Sequence, residues 1–515
     1  MDKFMQSQKT VPLRKKAKVS VADLMRAGAA KKKPFGENDA TAMGSLGAKA
    51  LARIDARIRK EQSALSDDQR SVVDKAKDGG NVFITGNAGT GKSFALKEAI
   101  KAARRTGRKV FVTASTGAAA TQIGGQTVHA FSGIGHGAEP AAELARSVAG
   151  KHHAKKRWTA CDTLVIDEIS MLDAETFDKL DHVARYVRSC DAPFGGVQLL
   201  VCGDFLQLPP VAGRGSAAAF AFEARCWRRC FPDQVVLKQV FRQRDAKFLT
   251  ILDELRVAQL SNKSAALLRR LKATDLSAFT KQGVEPTRLH CYNADVDSIN
   301  AERLRTLPRD LQLILAEDKG NGDKCARHHP YAERLGLKVG AQVMLLSNLD
   351  VEGGLVNGAR GAVDAFVYAP KEKGGSVEGV VVRWASGRIS TISKEKKSVE
   401  EGGREIFSRT QFPLRLAWAI TIHKSQGQTL DLLEVDLRGC REFGQAYTAI
   451  SRATAMDRLR VLNFEPSVVK AHPRVVAFME RLKNGDAGYA PEPSAAPVFA
   501  PEGDDGWITT KKRPG

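Results

Sequence analysis

The sequence predicts an α/β fold organised around a phosphate-binding loop, on three observations. An apolar run, Asn81-Val82-Phe83-Ile84-Thr85, leads directly into the glycine-rich stretch Gly86 to Ser93 (GNAGTGKS), which opens the helical pattern FALKEAIKAARRTG. A second apolar run, Leu164-Val165-Ile166, ends in the adjacent carboxylates Asp167 and Glu168. Runs at Lys109–Thr113, Thr163–Ile166, Gln198–Cys202 and Arg288–Tyr292 have the character of strands buried in a parallel sheet.

Composition bounds the rest. A length of 515 residues suits about three domains. The 80 Lys and Arg outnumber the 58 Asp and Glu, giving a net charge of +22 that favours polyanionic partners. A hydrophobic content of 43% is enough for a large core. No apolar run approaches the ~18 residues of a spanning helix, so no membrane association is expected. No secretory leader pattern stands at the N-terminus, and 8 cysteines are too few for a disulfide scaffold, which suggests a reducing, intracellular setting.

The charge is uneven. Residues 1–60 hold 15 Lys and Arg against 5 Asp and Glu, including Arg14-Lys15-Lys16-Ala17-Lys18 and Lys31-Lys32-Lys33. Such an arm is expected to be disordered. It reads as a nuclear address or nucleic-acid-binding arm, or as a solvated tail; the nucleus is the first compartment expected and the mitochondrion the second. Residues 484–515, with 5 Pro and 5 Gly, read as a second disordered tail.

The loop G-x-x-x-x-G-K-S between strand and helix has a physical reading. Gly86, Asn87, Ala88, Gly89, Thr90 and Gly91 wrap backbone N–H groups around phosphates, and the helix adds its positive N-terminal end. Lys92 reaches the β- and γ-phosphates, and the Ser93 hydroxyl ligates Mg²⁺. Downstream, Asp167 is expected in the Mg²⁺ shell and Glu168 as the base that accepts a proton from attacking water. Gln207, in Gly203-Asp204-Phe205-Leu206-Gln207-Leu208-Pro209-Pro210, can donate to a γ-phosphate or simply face solvent. The residues alone leave it open.

The motifs then form a set. GNAGTGKS, STGAAA (115–120), GGQTVHAFSGIG (124–135), LVIDEISMLD (164–173), GDFLQLPPV (203–211), FRQRD (241–245), ITIHKSQGQTL (420–430) and AYTAISRAT (446–454) occur in this order. Together with FDKLDHVARYVRSCDAPFGGVQLLVCGDFLQLPPV (177–211) they resemble superfamily-one helicases of the Pif1 family over roughly residues 65–465. The resemblance implies a P-loop NTPase of two RecA-like lobes with doubly wound parallel sheets. It places the first lobe at 61–235 and the second at 236–483, with a small β-barrel inserted at about 336–411.

It also implies ATP and Mg²⁺ as cofactors, a single-stranded or partly duplex DNA partner, 5′→3′ polarity, and a monomer able to pair on DNA. The work it implies is genome maintenance: repair, recombination, telomeres or replication forks. Gln69 would read the adenine, Gln207 would sense the γ-phosphate, and Arg242 and Arg452 would approach that phosphate from the second lobe. Ser115, Thr116, His129 and Phe131 would face DNA from the first lobe. His423, Lys424, Ser425 and Gln426 would face it from the second, with Ala446, Tyr447, Ser451, Arg452, Arg458 and Arg460. His129, Phe131 and Trp418 could stack on bases; packing is the alternative for Phe131 and Trp418, and the reading preferred for Trp418.

In the inserted region, LKVGAQVMLLSNL, GLVNGARGAVDAFVY and VEGVVVRWASGRISTI are short β-type runs with glycine turns. Lys371–Gly375 and Lys394–Glu405 read as exposed loops. Cys226 and Cys230, and Cys325 near His328 and His329, lack a four-ligand metal pattern and read as isolated thiols. Two other activities fit the same motifs: a nucleic-acid-stimulated ATPase that separates no strands, and a nucleic-acid-binding module with a decayed ATPase.

Overall fold

The computed structural model describes residues 65–210, 219–232, 234–280, 283–320, 329–350, 353–370, 375–401 and 404–485. The basic arm, nearly all of the Pro/Gly-rich tail, Cys325, His328 and residues 371–374 lie outside the described residues. None of the described helices is long and apolar enough to cross a membrane.

The first lobe begins with helix α1 (Asp67–Asp78), whose start is fixed by a reciprocal capping box between Ser66 and Gln69. Six parallel strands follow: β1 (Val82–Gly86), β2 (Val110–Ala114), β3 (Gln126–Thr127), β4 (Thr163–Asp167), β5 (Gln198–Cys202) and β6 (Gln234–Leu237), in the order β3-β2-β4-β5-β1-β6. Helices α2 (Lys92–Arg105) and α3 (Ala174–Arg188) belong to opposite cores. Alternation along the strands assigns Phe83, Leu164, Ile166, Leu199 and Val201 to one core, with α3. It assigns Val82, Ile84, Val165, Leu200 and Cys202 to the other, with α2. A sheet covered on both faces explains why its strands read as unbroken apolar runs.

The second lobe starts with helix α4 (Ala246–Val257). Its sheet is also parallel, in the order β18-β7-β19-β20, from β7 (Thr287–His290), β18 (Ala419–Thr421), β19 (Leu433–Asp436) and β20 (Leu459–Leu462). Helix α5 (Gln445–Ile450) is buried at every position. Helix α6 (Pro473–Lys483) follows the second lobe in sequence, yet Val475, Phe478, Met479 and Leu482 enter the first-lobe core. The Phe478 ring stacks on Phe222 with centroids 4.1 Å apart.

The inserted module extends further in sequence than the glycine-turn pattern indicates. Its strands are β8 (Gln312–Leu315), β9 (Glu317–Gly320), β10 (Arg334–Leu337), β11 (Gln342–Leu345), β12 (Arg360–Tyr368), β13 (Val377–Trp384), β14 (Ile389–Ile392), β15 (Glu395–Glu401), β16 (Arg404–Gln411) and β17 (Leu414–Leu416). They pair as three antiparallel sheets, β10-β8, β14-β13-β12-β11-β17 and β15-β16-β9, rather than one closed ring. The expected loop at Lys394–Glu405 is instead the β15–β16 hairpin, held by cross-strand pairs such as Lys396 with Glu405 at 2.9 Å. Charge masks the strand there, as it does on many exposed hairpins. Trp418 packs in the module's core, in line with the packing reading. Arg360 ties the module to the second lobe by donating to Thr287 Oγ1 (2.8 Å) and to the Leu432 carbonyl (3.2 Å).

Candidate active site

The phosphate loop leaves β1 and enters α2 at Lys92. Gly91 sits at φ +77°, and a Cβ there would strike Gln69 Nε2 at 2.7 Å, so both backbone conformation and space require glycine. Gln69 is buried, with a bond at each end of its side-chain amide. Its Oε1 accepts from Ser66 N–H (3.2 Å) and its Nε2 donates to the Thr90 carbonyl (3.2 Å). In this structure it props the loop. Lys92 Nζ donates to the Gly86 and Asn87 carbonyls at 3.0 and 3.1 Å. Burial pulls this ammonium below the ordinary lysine range, against the opposing charges of Asp204 and Glu168.

Asp167 ends β4 and is buried; its Oδ1 accepts from Glu168 N–H at 2.9 Å. Burial, then the Glu168 charge, push its carboxyl up to about 7. Glu168 adopts a left-handed backbone (φ 52°, ψ 46°), which costs about 1–3 kcal/mol for a side-chain-bearing residue. It is the carboxylate whose charge reaches Lys92, Arg242 and Arg452. Ser93, the other expected metal ligand, is exposed at the start of α2.

From the second lobe, Arg452 is 2% exposed. Its Nη2 donates to Gln207 Oε1 at 3.3 Å and its Nε to the Thr448 carbonyl at 2.9 Å. Arg242 Nη1 donates to the Ser451 carbonyl at 2.9 Å. Burial, then the charge of Arg452, bring Arg242 down to about 9. Two guanidiniums held close enough to repel form a positive focus suited to an oxyanion.

Several residues expected at DNA take other places. Phe131 is fully buried, its ring 4.8 Å from Trp158 and 5.3 Å from Phe111, because it fills the core beside β2. Tyr447 Oη accepts from Ala88 N–H at 2.9 Å, so it braces the phosphate loop across the cleft. Ala446 and Ser451 are buried with it, and Arg452 serves the phosphate side. Arg460 is spent on Glu434 Oε2 (3.0 Å) and the Thr274 carbonyl. Arg458 shares a cleft of about 820 Å³ with Arg242 and Arg244. Ser425 is buried, its Oγ donating to the Ile422 carbonyl.

The remaining candidates are placed as follows. Thr116 Oγ1 accepts from Ala119 N–H at 3.2 Å, in the first turn of the following helix. His129 is half-buried in the helix Val128–Ser132. His423 Nε2 lies 3.3 Å from Glu442 Oε2, and Lys424 is exposed. Gln426 Nε2 donates to Glu168 Oε2 at 3.0 Å.

Sequence reasoning missed Arg256, whose guanidinium meets Asp204 at 2.9 Å in full burial. The signal was present: Arg256 falls at i+4 and i+8 from Leu252 and Phe248, on the apolar face of α4. An arginine on that face needs a buried carboxylate. The thiols are not all isolated. Cys291 and Cys440, 149 residues apart, have sulfurs 3.1 Å from each other. Cys226, Cys230 and Asp181 also converge, but Asp181 already accepts from Phe194 N–H, and no fourth ligand joins them among the described residues.

A phosphate loop on one parallel sheet, completed by arginines from a second, defines a P-loop NTPase of two RecA-like lobes. The family model described as PIF1-like helicase matches residues 64–266, and that described as DNA helicase Pif1, 2B domain, matches 328–366. The ATP-dependent DNA helicase PIF1 of Danio rerio is 43% identical over 421 residues, covering 81% of this chain and 64% of that protein. The crystal structure of the Candida albicans Pif1 helicase superposes with a TM-score of 0.72 at 37% identity, covering 81% of this chain and 99% of that one. A Bacteroides Pif1 helicase in complex with ADP-AlF3 and single-stranded DNA gives 0.60 at 30% identity, covering 82% and 98%. The chain belongs to the Pif1 helicase family and spans about 64% of the length of the curated relatives it matches.

Proposed function

We propose that this chain is an ATP-driven helicase that translocates 5′→3′ on single-stranded DNA and unwinds duplex or structured DNA in genome maintenance. The observation that supports it most is the set of contacts by which the second lobe closes on the phosphate loop: Tyr447 Oη accepts from Ala88 N–H (2.9 Å), Arg242 N–H donates to the Gly89 carbonyl (3.3 Å) and Arg452 donates to Gln207 Oε1 (3.3 Å). Charge spread over a transferring phosphoryl group is matched by planar guanidiniums and an ammonium delivered from two sides. The Bacteroides relative, solved with a nucleotide and single-stranded DNA, supports both ligands for this chain.

In this reading the loop N–H groups and Lys92 hold the phosphates, and Glu168 accepts the proton of the attacking water. Gln207, bonded to Arg452, reports whether the cleft is closed. Ser93 and Asp167 offer the hard oxygen donors that Mg²⁺ takes, and a buried carboxyl pushed towards neutrality is one a cation would keep ionised. Bound there, the metal supplies neutralising charge on the phosphates. Opening and closing of the cleft would then move the DNA grips of the two lobes alternately. The protein acts as a monomer able to pair on DNA, and the basic runs at 14–18 and 31–33 support a nuclear address.

The test is ATP turnover with Mg²⁺, alone and with single-stranded DNA or RNA of equal length. Strong stimulation by DNA is expected; stimulation by RNA alone, or none, would overturn the reading.

A further inference from the structure

Glu168 is held by two segments expected to face nucleic acid, one from each lobe. On the first lobe, Ser115 N–H donates to the Asp167 carbonyl (3.1 Å) and Ser115 Oγ to the Glu168 carbonyl (2.7 Å). On the second, Gln426 Nε2 donates to Glu168 Oε2 (3.0 Å). The carboxylate fixes the amide's orientation, since only nitrogen can face it. Gln426 is 8% exposed, and its Oε1 has no partner among the described residues. One bond therefore holds the buried amide to the catalytic carboxylate.

Gln426 is built into the element that would feel DNA. It follows the 3₁₀ turn His423–Ser425, and its N–H donates back to the His423 carbonyl at 3.3 Å. Lys424 projects from that turn into solvent, its ammonium 3.1 Å from the neutral amide oxygen of Asn293. An exposed lysine resting on a neutral oxygen suits a phosphate. Next to Gln426, Gly427 sits at φ +74°, where a Cβ would strike Gln122 Oε1 at 2.6 Å. Gln122 ends the helix Gly117–Gln122 that follows Ser115 and Thr116. The turn is thus seated on the first lobe where the two nucleic-acid segments meet, and a shift of it moves Gln426 with it.

We propose that Gln426 is a positioning residue that restrains the Glu168 carboxylate and releases it when single-stranded DNA engages the Lys424 turn. The bond occupies Glu168 Oε2, an oxygen the attacking water would need, and holds the carboxylate against the second lobe. Hydrolysis is therefore suppressed while the bond stands. This rests on Glu168 being the base and on the turn facing DNA.

The experiment compares the full chain with Gln426→Ala and Gln426→Glu, reading kcat and KM of ATP turnover with and without single-stranded DNA. For Gln426→Ala, the DNA-free kcat rises about tenfold, the effect of one charge-assisted hydrogen bond. KM for ATP and DNA affinity stay unchanged, and the stimulation ratio falls accordingly. Gln426→Glu, which when ionised offers the carboxylate no donor, gives the same rise in DNA-free kcat. A DNA-free rate and ratio equal to the parent's would overturn the proposal. So would a proportional loss of both rates, or a loss of DNA affinity that accounts for the change. A parent protein that DNA does not stimulate would instead strike the functional reading itself.

Discussion

Arg256 of the second lobe and Asp204 of the first form an ion pair, Nη2 to Oδ1 at 2.9 Å, with both side chains buried. Asp204 Oδ2 also accepts from Gln207 Nε2 at 3.3 Å, and Gln207 Oε1 accepts from Arg452 at 3.3 Å. A chain of polar contacts thus crosses the cleft from Arg256 to Asp204 and returns from Gln207 to Arg452. Burial alone would raise the Asp204 carboxyl; Arg256, then Lys92, overcome it and hold it below the usual range.

Removing one partner strands a buried charge, so Arg256→Met should cost about 3–5 kcal/mol and lower the melting temperature. Asp204→Asn added to it should recover part of that loss. Strictly additive losses in the double variant would show that the two groups do not interact. Because the Asp204 carboxyl is depressed in the folded state, its contribution is present above about pH 4 and is lost as pH falls through its folded value. Asp204→Asn should flatten that acid limb.

Asp167 has the opposite sign. Its carboxyl is raised to about 7 when folded, against ~3.9 unfolded. The folded state therefore loses stability as pH rises between these values. Asp167→Asn, which cannot ionise, should gain melting temperature relative to the parent between pH 5 and pH 8. Mg²⁺ should raise the parent's melting temperature at pH 8 and leave Asp167→Asn unmoved. A mutant-minus-parent difference that does not vary with pH would contradict this.

Lys92→Ala should abolish ATP turnover while single-stranded DNA binding survives, since the Lys92 ammonium is bonded to the Gly86 and Asn87 carbonyls of the phosphate loop. Glu168→Gln should bind ATP and stall. Turnover at the parent rate in either variant would remove that residue from the chemistry.

Phe131 and Lys424 should separate cleanly. Phe131→Ala opens a core void worth about 3–5 kcal/mol and should leave the DNA affinity of the folded protein unchanged. Lys424→Ala should leave the melting temperature in place, weaken DNA binding, and reduce the salt slope of binding by about 1. Reversal of the two phenotypes would contradict their placement.

The phosphate loop, the Asp167–Glu168 pair and the strands of the first lobe were legible because each depends on local sequence. A glycine loop needs its glycines, and a strand covered on both faces shows as an apolar run. The β15–β16 hairpin was not legible because its charged residues mask the strand pattern. Neither was the return of α6 to the first lobe, since chain order gives no sign of which core an amphipathic helix joins. At the site, motif membership placed Tyr447 and Ser451 at DNA, whereas the structure turns Tyr447 to the phosphate loop and Ser451 to Arg242 and Arg452; Arg452, assigned both to DNA and to the γ-phosphate, meets Gln207. Only the packing of one lobe on the other decides such a choice. Gln426 shows the same limit, because its partner Glu168 lies 258 residues away.

Strand displacement on partial duplexes with a 5′ or a 3′ single-stranded overhang, with and without ATP and Mg²⁺, tests the central claim most directly. Unwinding from the 5′ overhang alone, and only with ATP, is the predicted result. Unwinding from the 3′ overhang would contradict the polarity. DNA-stimulated hydrolysis with no strand separation on either substrate would contradict the helicase activity itself.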